Sequence, residues 1–152
     1  MTFCVFRKAY YRIVNEKSNT ALDQGEGHGG AIGWTSHSGL KQQWEFESLP
    51  EPVLCRFRNS ATKNFLDLLK GSSADSTPVV ALKEHPITES RNQVWHVEST
   101  SDGDSFVFRN LEASTVLTVG SESETSAIGS EFRKAKNQLW TFIDDGDRFG
   151  DG

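Results

Sequence analysis

The chain has 152 residues, the size of one ordinary domain, with 36% hydrophobic and 24% charged residues. Its 16 Lys and Arg against 21 Asp and Glu give a net charge of −5. This charge argues against nucleic acid and anionic membrane surfaces as partners, because both require clustered cations. No apolar run approaches the roughly 18 residues of a membrane span, and the apolar N-terminal stretch is too short for a secretory signal. A cytoplasmic protein is therefore expected, unless a signal has been removed.

Three segments of the chain predict a first strand that ends at an asparagine. Apolar residues stand two and four places before each Asn, which is the alternation of a β-strand with one buried face. These segments are Tyr11–Asn15, Cys55–Asn59 and Phe106–Asn110. A second strand is predicted around a Leu that stands 7 residues after each Asn, at Leu22, Leu66 and Leu117.

The third strand of each unit is predicted at an apolar pair, and the fourth at a Gln-x-Trp tripeptide. The apolar pairs are Ala31-Ile32, Val79-Val80 and Ala127-Ile128. The tripeptides end at Trp44, Trp95 and Trp140. The residue two places after each Trp is again apolar, so both side chains face one side of a strand. The motif Trp residues are therefore expected to have a structural role in the core.

The three units predict one shared core, because a four-stranded unit cannot bury its apolar face alone. Twelve strands in three pseudo-symmetric units predict an all-β closed barrel in a single domain over residues 1–152. The units are placed at about residues 8–50, 51–101 and 102–145. An acidic, Gly-rich tail follows at residues 144–152 and lacks the Gly and bidentate Glu of a calcium loop.

The sequence shows no sign of enzymatic chemistry or of a metal site. Neither zinc-type Cys/His spacing nor a Gly-x-Ser-x-Gly, His-Glu-x-x-His or phosphate-loop motif occurs. Cys55 shares its strand position with Tyr11 and Phe106, which favours a core thiol over a nucleophile. Cys4 is likewise expected to be a buried or edge thiol. We therefore expect no enzyme, no metal and no cofactor.

Three Gln-x-Trp motifs at this spacing, each preceded by the second-strand Leu and an apolar pair, resemble those of the ricin-B-type β-trefoil lectins. The resemblance runs from about Tyr10 to Phe142 and looks most like single-domain lectins of mushrooms and other fungi. It implies a β-trefoil fold and non-enzymatic binding of glycans, glycoproteins or glycolipids. It also implies a sugar of the galactose or N-acetylgalactosamine type.

In this family each unit can hold one shallow sugar site. The site uses an Asp after the second-strand Leu, an aromatic residue after the apolar pair and an Asn before the motif Gln. The first unit matches with Asp23 and Trp34, has Lys41 in place of the Asn, and continues with Gln42. Two histidines on adjacent loops are expected to reach the rim, namely His28 and His37. We expect Trp34 to stack on the sugar ring and Asp23 to bind its hydroxyls.

The second unit keeps the polar part of this pattern. It has Asp67, Asn92 and Gln93, but Leu82 stands in place of the aromatic residue. Its loop is the longest of the three, and His85 on this loop is expected to supply the missing flat ring. A second sugar site is therefore predicted here.

The third unit departs furthest from the pattern. Asn137 and Gln138 are present, but Thr118 and Ser130 replace the Asp and the aromatic residue, so no site is predicted. Single contacts of this kind are weak, and a homodimer, the commonest symmetric oligomer, is expected to raise the avidity.

A β-trefoil protease inhibitor is the main alternative, and a trefoil that binds another protein is a third. The inhibitor would act through a surface loop, either Leu49–Pro52 or Lys83–Arg91. The degenerate sugar sites favour it, whereas the retained Asp23, Trp34 and Asp67 disfavour it, because an inhibitor has no need of them.

Overall fold

The computed structural model describes residues 9–25, 30–51, 54–88, 91–101, 103–120 and 125–147. Cys4, His28, Pro52 and the end of the acidic tail, residues 148–152, lie outside these ranges. Within them the chain forms thirteen β-strands and three short 3-10 helices. The 3-10 helices are Leu40–Gln42, Leu69–Gly71 and Lys136–Gln138. No helix among the described residues is long and apolar enough to cross a membrane.

The strands follow the three units of the sequence. The first unit contains β1 (Ala9–Asn15), β2 (Ala21–Gln24), β3 (Ala31–Trp34) and β4 (Trp44–Ser48). The second contains β5 (Leu54–Asn59), β6 (Phe65–Leu68), β7 (Thr77–Leu82) and β8 (Trp95–Ser99). The third contains β9 (Phe106–Asn110), β10 (Val116–Thr118), β11 (Thr125–Ser126), β12 (Ile128–Ser130) and β13 (Trp140–Asp147).

Six of these strands close into an antiparallel barrel. The order around the barrel is β1, β4, β5, β8, β9, β13 and back to β1, so each unit supplies its first and its last strand. Six of the other strands pair with each other, β2 with β3, β6 with β7 and β10 with β12, and the remaining strand, β11, pairs with β3. This arrangement confirms the all-β β-trefoil architecture predicted from the sequence.

The three hairpins bond to one another at one end of the barrel. The amide of Ala127 donates to the carbonyl of Ala31 at 2.8 Å, and the amide of Val79 donates to the carbonyl of Ala127 at 3.0 Å. The third strand of the third unit is interrupted at Ala127, between β11, which pairs with β3, and β12, which pairs with β7 and β10. The described residues therefore form thirteen strands where twelve were predicted.

The three motif Trp residues form the centre of the core, as the pattern predicted. Trp44, Trp95 and Trp140 are all 0% exposed. Each indole Nε1 donates to the carbonyl of the second-strand Leu of its own unit, at 3.0–3.1 Å. The bond satisfies the polar N–H inside an apolar environment, which allows the ring to be buried at no hydrogen-bonding cost.

The Asn at the end of each first strand connects neighbouring units. Its Oδ1 accepts backbone N–H groups of the following turn. Its Nδ2 donates to the carbonyl of the residue before the motif Gln of the preceding unit: Asn59 to Lys41, Asn110 to Asn92 and Asn15 to Asn137, at 2.8–3.0 Å. The last of these bonds joins the third unit back to the first.

Cys55 lies in the core beside these elements. It is 2% exposed, and burial raises the pKa of its thiol. The prediction of a core residue rather than a nucleophile is therefore confirmed.

Candidate functional site

The motif Gln of each unit makes the same two hydrogen bonds to the backbone of the loop that precedes it. Its Oε1 accepts a backbone N–H at 2.8–2.9 Å, and its Nε2 donates to a backbone carbonyl at 2.8–2.9 Å. The N–H groups belong to His37, His85 and Arg133. These three residues are therefore structurally equivalent, although His85 stands eight places before its Gln and the other two stand five places before theirs.

The sequence holds a signal for this equivalence that spacing from the Gln conceals. Each of the three residues stands three places after the position assigned to the aromatic residue, namely Trp34, Leu82 and Ser130. The three residues therefore align when positions are counted forward from the third strand. The difference in loop length lies between these residues and the motif Gln.

The first pocket is a cavity of about 360 Å³ in the first unit. Asp23 lies at its foot, 6% exposed, and accepts a hydrogen bond from Gln42 Nε2 at 3.0 Å. The ring of His37 stands beside this carboxylate, with Nε2 at 4.0 Å from Oδ2. Half-buried Trp34 and Lys41 complete the lining that the sequence predicted. Five of the six residues predicted for this site are thus brought together, and the sixth, His28, lies outside the described residues.

The position of His37 depends on a glycine that sequence reasoning missed. The Gly39 amide donates to His37 Nδ1 at 2.9 Å, and a Cβ on Gly39 would lie 2.8 Å from the ring. Because Nδ1 accepts this bond, a neutral His37 has its proton on Nε2, the atom that faces Asp23. Two apolar residues, Ile32 and Leu40, also line the pocket and were not predicted; Leu40 is 52% exposed.

The second pocket is a cavity of about 730 Å³ in the second unit. Asp67 lies at its foot and is 0% exposed. Its Oδ1 accepts from Asn92 Nδ2 at 2.8 Å, its Oδ2 accepts from Gln93 Nε2 at 2.9 Å, and His85 Nδ1 lies 3.9 Å from Oδ2. Burial raises the pKa of Asp67, and the hydrogen bonds from Gln93 and Asn92 and the charge of His85 act against this rise. All four predicted residues meet here.

The rim of the second pocket contains charged residues that the sequence did not suggest. Lys70 and Glu112 both line the cavity, together with Leu82 at the place of the missing aromatic residue. Glu112 belongs to the third unit, in the turn between β9 and β10. Its long separation from Asp67 along the chain explains why no local pattern pointed to it.

The third unit has a hydroxyl where the other two have a carboxylate. Gln138 Nε2 donates to Thr118 Oγ1 at 3.3 Å. Arg133 donates to Ser130 Oγ at 2.8 Å, and its Nη2 lies 3.4 Å from Asp75 of the second unit. A hydrogen bond from Ser130, then one from the backbone, and the charge of Arg133 lower the pKa of Asp75. The guanidinium is thus directed to Asp75. The Thr118 hydroxyl, which accepts from Gln138, itself donates to the Val116 carbonyl at 3.0 Å.

Neither of the two loops proposed for a protease inhibitor is fully described by the structure. Pro52 of the Leu49–Pro52 loop and residues 89 and 90 of the Lys83–Arg91 loop lie outside them. Across the part of the chain that the structure describes, no group of three or more His, Cys, Asp and Glu side chains is arranged to hold a metal ion.

Comparison with known proteins gives one family match. The model of the ricin-type β-trefoil lectin domain-like family matches residues 3–82, more than half of the chain. None of the curated proteins matches the chain in sequence.

Solved structures show the same fold at low sequence identity. ThreeFoil, a designed threefold symmetric protein, has a TM-score of 0.82 and 22% identity over 89% of this chain and 98% of its own. The ricin B-like lectin of the mushroom Macrolepiota procera, in complex with lactose, has a TM-score of 0.78 and 23% identity over 91% and 97%. An exo-β-1,3-galactanase from Clostridium thermocellum has a TM-score of 0.82 and 19% identity over 93% of this chain, which spans only 31% of that enzyme.

Proposed function

Because the chain belongs to the ricin-type β-trefoil lectin domain-like family, we propose that it is a non-enzymatic protein that binds carbohydrate in the pockets of its first two units. One observation supports this most directly. In both units a buried Asp accepts a hydrogen bond from the motif Gln and stands about 4 Å from a His ring, at the foot of an open cavity. Sugar recognition requires this combination of a fixed hydroxyl acceptor and a flat ring.

The first pocket is the principal site in this proposal. Gln42 fixes the orientation of the Asp23 carboxylate, which accepts hydrogen bonds from vicinal hydroxyls of the sugar. The half-buried ring of Trp34 covers the apolar C–H face of the same sugar. Lys41 donates to a ring hydroxyl at the position where the family has an Asn, but it cannot accept.

The second pocket binds through the groups above its carboxylate. Since Asp67 is 0% exposed, it orients Asn92 and Gln93 from below, while Asn92 and half-exposed His85 face the cavity. Leu82 gives a smaller apolar surface than Trp34. We therefore expect the second pocket to bind more weakly than the first.

The sugar is proposed to be of the galactose or N-acetylgalactosamine type. The family membership supports this choice, and so does the lactose in the Macrolepiota procera complex, because lactose ends in galactose. A homodimer would present several weak pockets on one particle and raise the avidity. Light scattering that finds a monomer at high concentration would contradict the dimer without affecting the pockets.

The test is an NMR titration of the ¹⁵N-labelled protein with lactose and N-acetylgalactosamine, combined with a glycan array. Sugar is expected to shift the amide resonances of residues around both pockets. Asp23→Asn is expected to lower the affinity of the first pocket at least tenfold, since it removes a charge-assisted hydrogen bond of about 1.5–3 kcal/mol. Asp75→Asn is the matched control, because Asp75 lies in neither pocket, and it should leave both affinities unchanged.

The opposite results would overturn the proposal. Binding to no glycan, together with inhibition of a serine or cysteine protease, would favour the inhibitor. Sugar-induced shifts confined to the third unit would place the site elsewhere.

A further inference from the structure

An arginine stands beneath the histidine loop in each of the first two units. Arg12 and Arg56 occupy the same strand position, three residues before the Asn that ends β1 and β5. Arg12 Nη1 donates to Ser36 Oγ at 2.9 Å, and Arg56 Nη2 donates to Glu84 Oε2 at 2.7 Å. Ser36 and Glu84 are the residues directly before His37 and His85. The same connection between barrel and loop is thus built twice.

The third unit has different chemistry at this place. The strand position of the two arginines is occupied by Val107, and Phe132 precedes Arg133 on the loop. The unit that lacks the carboxylate thus also lacks the arginine at this position. The arginine accompanies the Asp–His arrangement rather than the β-trefoil scaffold.

Arg56 is held on several sides at once. It is 4% exposed, and its guanidinium lies 4.5 Å from the centre of the Phe65 ring. It donates to the carboxylate of Glu47 on β4 and to the carboxylate of Glu84 on the loop. A planar, permanently charged guanidinium with several donors is suited to joining such separate elements.

The same guanidinium contacts the backbone of His85. Arg56 Nη1 donates to the His85 carbonyl at 3.4 Å, while the His85 N–H donates to Gln93 Oε1 at 2.9 Å. The two bonds fix both sides of the residue. Its ring consequently lies 3.9 Å from the Asp67 carboxylate and faces the cavity.

The first unit has a different loop residue at the equivalent contact. A neutral hydroxyl, Ser36, stands there in place of the carboxylate of Glu84. The side chain of His37 is 48% exposed against 36% for His85, and the side chain of Asp23 is 9% exposed against 0% for Asp67. The two rings lie at nearly equal distances from their carboxylates, 4.0 Å and 3.9 Å, and the His85–Asp67 pair is the more buried of the two.

We propose that Arg56 and Glu84 are positioning residues of the second pocket, whose ion pair holds the His85 ring against Asp67 and so sets the affinity of that pocket for sugar. The affinity part rests on the proposed function. The positioning part concerns the protein without ligand and is tested separately.

The experiment uses Glu84→Gln, because Glu84 is on the surface and its replacement does not leave a cavity, whereas a buried Arg56 variant risks unfolding. Glu47→Gln is the matched control. It removes the other carboxylate from the same guanidinium but leaves the loop contact in place.

Without sugar, the readout is the pKa of the Asp67 carboxyl from a ¹³C NMR titration. Moving the His85 charge away raises the Asp67 pKa, whereas deleting the negative charge of Glu84 would by itself lower it. Glu84→Gln is expected to raise this pKa above that of the wild type and of Glu47→Gln. An unchanged or lowered value would overturn the positioning of His85.

With sugar, Glu84→Gln is expected to weaken the second pocket about two- to fivefold, because it removes a partly exposed ion pair that acts on the sugar only through His85. The affinity of the first pocket is expected to stay unchanged. In a His85→Ala background, Glu84→Gln should cause no further loss of affinity, because the Arg56–Glu84 pair acts through His85. Equal losses in both backgrounds would overturn the proposal. If the wild type binds no sugar, the proposed function fails, and the Asp67 titration still decides whether the pair positions His85.

Discussion

In the first unit Gln42 donates to the carboxylate of Asp23 at 3.0 Å, whereas in the third unit Gln138 donates to the hydroxyl of Thr118 at 3.3 Å. The motif Gln itself is held alike in the two units. Both Gln residues are at most 1% exposed, and both make the same pair of backbone hydrogen bonds. A hydroxyl thus satisfies the motif Gln within the same scaffold.

The difference shows that the scaffold does not require a carboxylate at this place. Burying a charged group costs free energy unless it is well compensated, and burial raises the pKa of Asp67, the equivalent residue of the second unit. Two units retain the carboxylate in spite of this cost, and both have an open cavity above it. This supports a sugar-binding role for Asp23, a role for Asp67 in orienting the groups that line the second pocket, and a structural role for the Gln-x-Trp motif.

The largest expected effect tests whether the scaffold is the same in both units. Trp44→Ala and Trp140→Ala should each lower the free energy of unfolding by about 3–5 kcal/mol, because both rings are fully buried. Denaturant unfolding measures this. Trp34→Ala is the control, a half-buried Trp whose loss should cost about 1 kcal/mol. A much smaller loss for Trp140→Ala than for Trp44→Ala would show that the units are not equivalent.

The next effect concerns binding rather than stability. Asp23→Thr converts the first pocket to the chemistry of the third unit and should weaken sugar binding there at least tenfold. The free energy of unfolding should change by about 1 kcal/mol or less, since Thr118 shows that a hydroxyl can accept from the Gln. NMR titration and denaturant unfolding of the same samples separate the two effects.

The reverse substitution, Thr118→Asp, completes this comparison. It should create no sugar site, because Ser130 offers no ring and Arg133 is directed to Asp75. New sugar-induced shifts in the third unit would show that the carboxylate alone is sufficient.

A third prediction compares two carboxylates by their pH dependence. Burial raises the pKa of Asp67, whereas the hydrogen bond from Ser130, with the other contacts, lowers that of Asp75. The stability that Asp67 contributes is fully present below its ordinary pKa and is lost as the pH rises through the raised value. The stability difference between Asp67→Asn and the wild type should therefore shift in favour of the variant as the pH rises through that range.

Denaturant unfolding from pH 3 to pH 7 measures the difference in free energy of unfolding between the variant and the wild type. Only the change of this difference with pH is tested, so a constant contribution from the altered hydrogen bonds does not matter. A ¹³C titration should find Asp67 above and Asp75 below the ordinary Asp pKa. If both pKa values lay on the same side of the ordinary Asp value, the prediction would be contradicted.

The smallest effect is expected from Lys41→Asn, the substitution that restores the family pattern in the first pocket. Lys41→Asn should strengthen sugar binding about two- to fivefold, because an amide both donates and accepts at a place where Lys only donates. The contact of Asn92 with Asp67 at 2.8 Å is the arrangement to be reproduced. Lys63→Asn, on an exposed turn outside both pockets, is the control and should leave the affinity unchanged. A weaker first pocket in Lys41→Asn would show that the lysine donor contributes more to sugar binding than the amide that replaces it.

Much of the candidate site could be predicted because its residues follow local patterns. Asp23 and Asp67 come directly after a buried Leu, and Gln42 and Gln93 stand two places before a buried Trp. Strand alternation and turn position fix where such side chains point. The division of the third strand around Ala127 was not predictable, since it depends on bonds to two other units.

The sequence by itself determined the threefold repeat, the all-β fold and nine residues of the two pockets, because burial in a strand has a short period that the chain displays. The tertiary structure decided which residues share a place across the units, including His37, His85 and Arg133. It also decided that Arg56 pairs with Glu84, and that Asp75 pairs with Arg133 of another unit. Those contacts join segments far apart along the chain, and they depend on how the barrel closes rather than on any local pattern.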